Sequence, residues 1–373
     1  MHIAMIGQKR TGSREGGVEV VVTELATRLV ALGHEVTCYD RMGTDVNGMP
    51  TPTKPYECKG VRVVPVPTVN VKGLAAFTSA YTATHTALKS HPDIIHYHSE
   101  GPCNALPRAT HAGIHTVATI HGLDWQRAKW GNIASRIIKR GERRAAQKAD
   151  ALIVLSQAMQ RYFQKEYRRD AAFIPNGICV PAQRPAQLIS KQWKLTKDSY
   201  ILYLSRLVPE KRPELLLQAF QKLKTDKRLV IAGMASDTSE FYKEISLLAK
   251  RDPRVLMVGF VEGDILAELY SNAYCYVLPS DIEGMPVSLL EAMAYGCCCV
   301  TSDISECADI LGNTGMIFPR GNAEALRCTL ASLLAQPNNT ATLGKAARER
   351  AKAEFNWDSI IQRTLEIYRG VLS

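Results

Sequence analysis

The residues most able to do chemistry in this 373-residue chain lie between Ser280 and Gly296, read Ser-Asp-Ile-Glu-Gly-Met-Pro-Val-Ser-Leu-Leu-Glu-Ala-Met-Ala-Tyr-Gly. Pro286 suits the first turn of a helix and Gly296 the residue just past its end, which puts Glu291 on the helix and Glu283 on the loop before it. A strand leading through a Gly-containing loop into a helix presents unpaired N–H groups and a positive dipole end to an anion. Carboxylates beside that anion suit the hydroxyls of a sugar and a ribose. Earlier, the apolar run Tyr200 to Leu204 leads into Ser205, Arg206 and Lys211. An arginine there forks onto a diphosphate, and the lysine adds a point charge. Such a pair stabilises a departing nucleotide diphosphate without a metal, and the sequence has no Asp-x-Asp pair to hold a divalent ion beside a sugar nucleotide. Taken singly, each motif also fits an ordinary strand-loop-helix with solvated charges.

In the first half, Gly16 and Gly17 stand before a helical pattern, where adjacent glycines allow a phosphate or sugar close to the backbone. The Gly-x-Gly-x-x-Gly of a nicotinamide enzyme is absent there. His121 closes the run Thr116 to Ile120 and precedes Gly122, which suits an imidazole that bonds a sugar hydroxyl and shields charge developing at the anomeric carbon. His96, His98 and Glu100 alternate along a strand like ligands, but no further cluster joins them and no metal site is expected.

These residues need strands and helices to hold them. Strands are expected at His2 to Ile6, Glu35 to Tyr39, Val61 to Pro65, Ile94 to Tyr97, Thr116 to Ile120, Ala151 to Leu155 and Ala172 to Ile174, with helices at Val18 to Leu32, Gly73 to Ser90 and Ala134 to Ala149. Cys179 to Lys197, with Pro181 and Pro185, reads as an interdomain linker. A second series follows: Tyr200 to Leu204, Arg228 to Ala232, Arg254 to Val258, Tyr274 to Leu278, Cys298 to Thr301 and Gly315 to Phe318, with a helix at Pro213 to Leu223. The pattern predicts an α/β chain of two Rossmann-like doubly wound domains facing a central cleft, with ligands at the carboxyl ends of the strands. The expected domains are 1–178 and 179–356.

Composition narrows the class. The chain is 46% hydrophobic and 22% charged, as expected of a soluble globular protein, with no stretch near the roughly 20 apolar residues that span a bilayer. No signal-peptide pattern is seen, which predicts a cytoplasmic protein with at most peripheral contact at the inner face of the cell membrane. Ten cysteines, three of them consecutive at Cys297 to Cys299, are expected to be reduced and buried. The net charge of +10 is lopsided: residues 1–180 carry 23 bases against 14 acids and the rest 23 against 22. Eight bases and a single acid, Glu142, fall between Arg127 and Lys148, behind Trp125 and Trp130. Such a run meets an anionic membrane or acceptor, or is a solvated helix face. No stacking-aromatic module accompanies it, so nucleic acid is not an expected partner.

The motifs in this order resemble family 4 of the glycosyltransferases, enzymes of GT-B architecture, over essentially the whole chain: Gly16-Gly17-Val18-Glu19, His121-Gly122, Ile174-Pro-Asn-Gly177, Ser205-Arg206 with Lys211, Gly259-Phe260-Val261 and Glu283 through Glu291. Phe355, Trp357 and Tyr368 resemble the family's closing segment, which implies a terminal helix at 357–373 crossing back to the first domain. The resemblance implies retaining transfer of a sugar from a nucleotide-diphosphate donor to a hydroxyl of a saccharide or polyprenyl-linked acceptor, without cofactor. It implies catalytic roles for His121 and Glu283. Gly16 and Gly17, Arg206, Lys211, Phe260, Val261, Gly284, Met285, Pro286, Val287 and Glu291 would bind the donor, and Trp125, Arg127 and His98 the acceptor. Met285-Pro286 stands where many relatives carry another glycine-containing turn. The stretch Gly122 to Trp130 is similar to a subgroup that includes rhamnosyltransferases of bacterial surface-polysaccharide assembly. Substituting Glu283 by alanine is expected to reduce transfer greatly while leaving folding intact. A nucleotide-sugar hydrolase or epimerase of the same architecture, and a non-catalytic nucleotide-sugar-binding protein, are the alternatives.

Overall fold

Short apolar strands followed by helices long enough to return the chain to the same edge build parallel sheets. The computed structural model describes residues 1–45, 48–69, 74–126, 130–235 and 238–373. The chain divides into two compact units, Met1–Gly177 with Trp357–Ser373, and Ile178–Asn356.

The first unit holds strands β1 (His2–Ile6), β2 (Glu35–Arg41), β3 (Tyr56–Cys58), β4 (Val61–Val66), β5 (Ile94–His98), β6 (His115–Ile120), β7 (Ala151–Val154) and β8 (Ala172–Phe173). Their order is β3-β4-β2-β1-β5-β6-β7-β8. All pairings are parallel except that of β3 with β4, and β3 was not anticipated. The direction of winding reverses between β1 and β5, and the crevice at such a reversal is where doubly wound sheets bind ligands. Gly7 lies there with φ +137, and a Cβ on it would stand 2.2 Å from the carbonyl oxygen of His98. Only glycine lets the two strand ends close up.

Of the helix expected over Gly73 to Ser90, Gly73 lies outside the described residues and the helix runs Ala75–Leu88. The terminal helix Trp357–Leu372 packs in the first unit, burying Trp357, Ile361, Leu365 and Tyr368. Its entry is tight: a Cβ on Gly177 would stand 2.3 Å from the Trp357 ring, which carries the Arg28 guanidinium 4.9 Å from its centroid.

The second unit has β9 (Tyr200–Leu204), β10 (Arg228–Ala232), β11 (Val255–Gly259), β12 (Cys275–Leu278), β13 (Cys299–Ser302) and β14 (Met316–Phe318), all parallel, in the order β11-β10-β9-β12-β13-β14. Winding reverses between β9 and β12. Tyr203, Leu216, Phe220, Leu229, Val277, Val300 and Phe318 share its core. The linker expected over Cys179 to Lys197 is instead folded into this unit. Leu188–Trp193 is helical, and the Glu268 carboxylate accepts the Gln187 and Ile189 amides at 2.9 and 3.1 Å. Ile189 and Leu195 have no exposed surface, and burying side chains of this size stabilises by roughly 1.5–3 kcal/mol each.

No cysteine forms a disulfide, and Cys297, Cys298 and Cys299 are buried thiols whose pKa values burial pushes up. Among the described residues no helix is long and apolar enough to cross a membrane.

Candidate active site

The β9–β12 reversal in the second unit brings together two loops far apart in sequence. The backbone of Asp281 donates to the Glu210 carbonyl at 2.9 Å, and Arg212 Nη1 pairs with Asp281 Oδ2 at 2.6 Å. Between these ties, Lys211 Nζ donates to Glu283 Oε1, which also accepts Ser280 Oγ at 2.6 Å. Lys211 is 7% and Glu283 9% exposed, so the pair is largely desolvated. Two residues given different partners by the family resemblance are thus bound to each other. Glu283 Oε2 is used by neither Lys211 nor Ser280.

Gly284, Met285 and Pro286 follow in a buried loop. Pro286 is the N-cap of the Val287–Tyr295 helix, one position before the expected first turn, and Gly296 ends the helix with φ +82. The amides of Val287 and Ser288 cannot be satisfied from within the helix and give its start an anion-binding character. Glu291 lies one turn in, accepting Tyr270 O–H on Oε2 at 3.1 Å, and Tyr270 stacks on Tyr295 at 5.4 Å. Arg206 lies two residues past the end of β9, half-buried. Its loop is held by Gly233, where a Cβ would stand 1.9 Å from the Ser205 carbonyl oxygen. Phe260 and Val261 leave β11, at the same end of the sheet but two strands from β9. Ser280, Arg212, Asp281 and Tyr270 support this site and were not singled out from sequence. Ser280, three residues before Glu283, carried the one local signal.

In the first unit Gly16 caps the Gly17–Ala31 helix in extended conformation. A Cβ there would stand 2.5 Å from Glu19 Oε2, while Glu19 Oε1 accepts the Lys9 amide at 2.8 Å. The glycine therefore makes room for a structural carboxylate. Three imidazoles line up across the β5 and β6 ends. His96 bonds Tyr368 O–H through Nδ1 and Thr119 Oγ1 through Nε2, both at 2.7 Å, and its ring lies 4.1 Å from that of His98. His98 Nδ1 meets His121 Nε2 at 3.1 Å.

Burial pushes His121 down to about 4 against the pull of Asp124 and Glu19, His96 down to about 3, and His98 well below the usual range. All three are neutral at pH 7. His98, expected to meet the acceptor, has no exposed surface and instead bears on His121. Among the described residues no group of three His, Cys, Asp or Glu side chains is placed to hold a metal ion.

Arg127, the third residue expected to bind acceptor, lies outside the described residues, as does Lys129. Trp125 is half-buried in a short turn, and its indole N–H donates to Glu142 Oε2 at 2.8 Å. The basic helix Asn132–Lys148 is two-sided. Arg136, Arg140 and Arg143 form an exposed ridge with Ile133, which is 76% exposed. Lys139 turns inward to Glu142, and Arg144 donates to the Asn104 carbonyl.

Two doubly wound, largely parallel sheets, one with an arginine, a lysine–glutamate pair and a helix start at its reversal point, fit a glycosyltransferase of GT-B type. Residues 15–180 match the model described as Glycosyltransferase Family 4, and residues 186–350 match that of Glycosyl transferases group 1. The chain belongs to family 4 of the glycosyltransferases. It is 26% identical over 404 residues to the alpha-maltose-1-phosphate synthase of Mycolicibacterium smegmatis, covering 100% of both chains. Its fold is similar to that of sucrose-phosphate synthase from Thermosynechococcus elongatus, with a TM-score of 0.86 at 24% identity over 99% of this chain and 98% of that one. It is also similar to Anabaena HepE in complex with UDP-glucose, with a TM-score of 0.79 at 18% identity over 99% and 100%.

Proposed function

We propose that this enzyme moves a sugar, with retention at the anomeric carbon, from a nucleotide-diphosphate donor bound by the second unit. The sugar goes to a hydroxyl of a saccharide or polyprenyl-linked acceptor met by the first unit, without metal or cofactor, in bacterial cell-surface glycan synthesis. The observation that supports this most is the buried Lys211–Glu283 pair beside Arg206 and the start of the Val287–Tyr295 helix. Since Lys211 is bound to Glu283, Arg206 and the helix amides are the donors assigned to the departing diphosphate. Glu283 Oε2 and the backbone of residues 284–287 serve the sugar, and Glu291, held by Tyr270, the ribose. A neutral His121 serves as a hydrogen-bond partner of the sugar rather than as a cation. A leaving-group phosphate oxygen takes the proton of the incoming hydroxyl. HepE's complex with UDP-glucose supports a nucleotide-sugar donor.

The test is nucleoside diphosphate release from UDP-, GDP- and TDP-sugars in EDTA, with monosaccharides and polyprenyl-diphosphate sugars as acceptor panel and the product anomer read by NMR. Acceptor-dependent release with the donor's anomeric configuration is expected. Inversion, or release that EDTA stops, contradicts the proposal. The exposed ridge further supports peripheral contact with an anionic membrane. Replacing Arg136, Arg140 and Arg143 by glutamine is expected to remove salt-sensitive binding to phosphatidylglycerol vesicles in a flotation assay. Wild-type protein that fails to float at low salt removes the idea.

A further inference from the structure

We propose that Glu100 and Glu142 share one proton across a buried acid–carboxylate contact, and that this pair positions the turn carrying Trp125 for the acceptor. The second half rests on the assignment of the acceptor to the first unit.

Both residues have 0% exposure, and they converge on one turn: Glu100 meets the Asp124 amide, Glu142 meets the Trp125 indole, and Gly141, next to Glu142, packs on the Glu100 backbone. Glu142 is surrounded by donors. Its Oε1 accepts Lys139 Nζ at 2.8 Å, Tyr162 O–H at 2.8 Å and Tyr167 O–H at 2.5 Å, and its Oε2 accepts the Trp125 indole N–H at 2.8 Å. Glu100 has one donor, the Asp124 amide, 2.7 Å from Oε2. No donor reaches the buried Glu100 Oε1. Two ionised carboxylates in contact and out of water repel strongly, whereas one proton between them converts that repulsion into a hydrogen bond. The donor-rich Glu142 is the carboxylate and Glu100 the acid. Burial, the Glu142 contact and the Asp124 charge hold Glu100 well above the usual carboxylate range, while hydrogen bonds from Glu100, Lys139 and the two tyrosines outweigh burial and hold Glu142 low.

The backbone is built around this contact. A Cβ on Gly141 would stand 2.0 Å from the Glu100 carbonyl oxygen, so glycine alone lets the Asn132–Lys148 helix approach. Asn104 Nδ2 adds bonds to the Gly101 and Ile137 carbonyls at 3.0 and 2.9 Å. The pair thus grips the turn twice, Glu100 through the Asp124 amide and Glu142 through the Trp125 indole edge, with Lys139 4.5 Å from the Trp125 ring centroid. The titratable groups facing it are Asp124, Cys103, Lys139, Tyr162 and Tyr167. Loss of the shared proton at alkaline pH sets the two grips against each other.

The test uses full-length protein labelled with 5-fluorotryptophan, the Trp125 fluorine signal assigned by Trp125→Phe. Wild type is expected to show an infrared band of a protonated carboxyl at pH 7 and an alkaline step in the Trp125 signal. Glu100→Gln, whose amide still donates to Glu142, loses both band and step but keeps the signal position, whereas Glu100→Ala shifts it. With the panel acceptor that wild type turns over, Glu100→Ala and Trp125→Ala raise the acceptor KM about tenfold, leave the donor KM unchanged, and Glu100→Gln restores it. No protonated band, or a Gln variant displaced as far as Ala, overturns the shared proton. Intact spectroscopy with acceptor KM unmoved in Trp125→Ala instead overturns the acceptor assignment and the positioning role with it.

Discussion

Glu283→Ala is expected to lose folding stability as well as transfer, by about 3–5 kcal/mol, because it leaves Lys211 buried without its carboxylate. This replaces the expectation from sequence that the substitution spares the fold. Ser280 loses its acceptor in the same step. Transfer is expected to fall by roughly 10²- to 10³-fold, the usual loss on removing a preorganised polar group from a reacting centre. The two effects separate in Lys211→Met/Glu283→Leu, since well-packed apolar residues in place of a buried ion pair are often neutral or stabilising. Urea unfolding should find the double variant near wild-type stability, and the transfer assay should find it inactive. An active double variant, or a fully stable Glu283→Ala, contradicts the role given to the pair.

Acidification is expected to destabilise the first unit well above the carboxylate range. Each of His96, His98 and His121 has a folded pKa below its ordinary 6.5. The unfolded chain therefore binds more protons, and stability falls as pH drops from about 6.5 towards the folded values. Each histidine contributes a slope of up to ~1.4 kcal/mol per pH unit in that window. Glu100 acts with the opposite sign: its raised folded pKa makes the folded state the proton binder, so it gains stability on acidification. Between pH 7 and pH 5 the loss from the three histidines is opposed by Glu100 and by the likewise raised Asp40 and Glu15, and stability falls on balance. Denaturant midpoints across that range check it, and Glu100→Gln should steepen the fall. A flat profile rules out three neutral buried imidazoles.

Much of the architecture was legible because apolar runs and helical stripes alternate along the chain, and thirteen of the strands fall where those runs lie. Tyr56–Cys58 escaped notice because three residues behind Pro55 form no periodic pattern and gain their register only by pairing with β4. The segment after Cys179 looked like a linker because prolines and glutamines dilute Ile189 and Leu195, whose burial depends on Glu268 some eighty residues away. Glu283, Lys211 and Arg206 could be picked out by type and position on strand ends. That Lys211 and Glu283 bind each other could not, since the contact spans 72 residues and exists only because β9 and β12 are neighbours. Glu142 was the most deceptive residue. A lone acid among eight bases suggests a solvated ion pair, yet its donors Tyr162 and Tyr167 sit 20 and 25 residues further on, on the next helix.

The central claim is that Arg206 binds a nucleoside diphosphate at the β9–β12 reversal. Calorimetric titration of wild type and Arg206→Ala with UDP, GDP and TDP tests it most directly. One of the three should bind the wild type, and Arg206→Ala should weaken it by about 10- to 100-fold, as expected for lost charge-assisted hydrogen bonds of ~1.5–3 kcal/mol. Equal affinity in the two proteins would contradict the account.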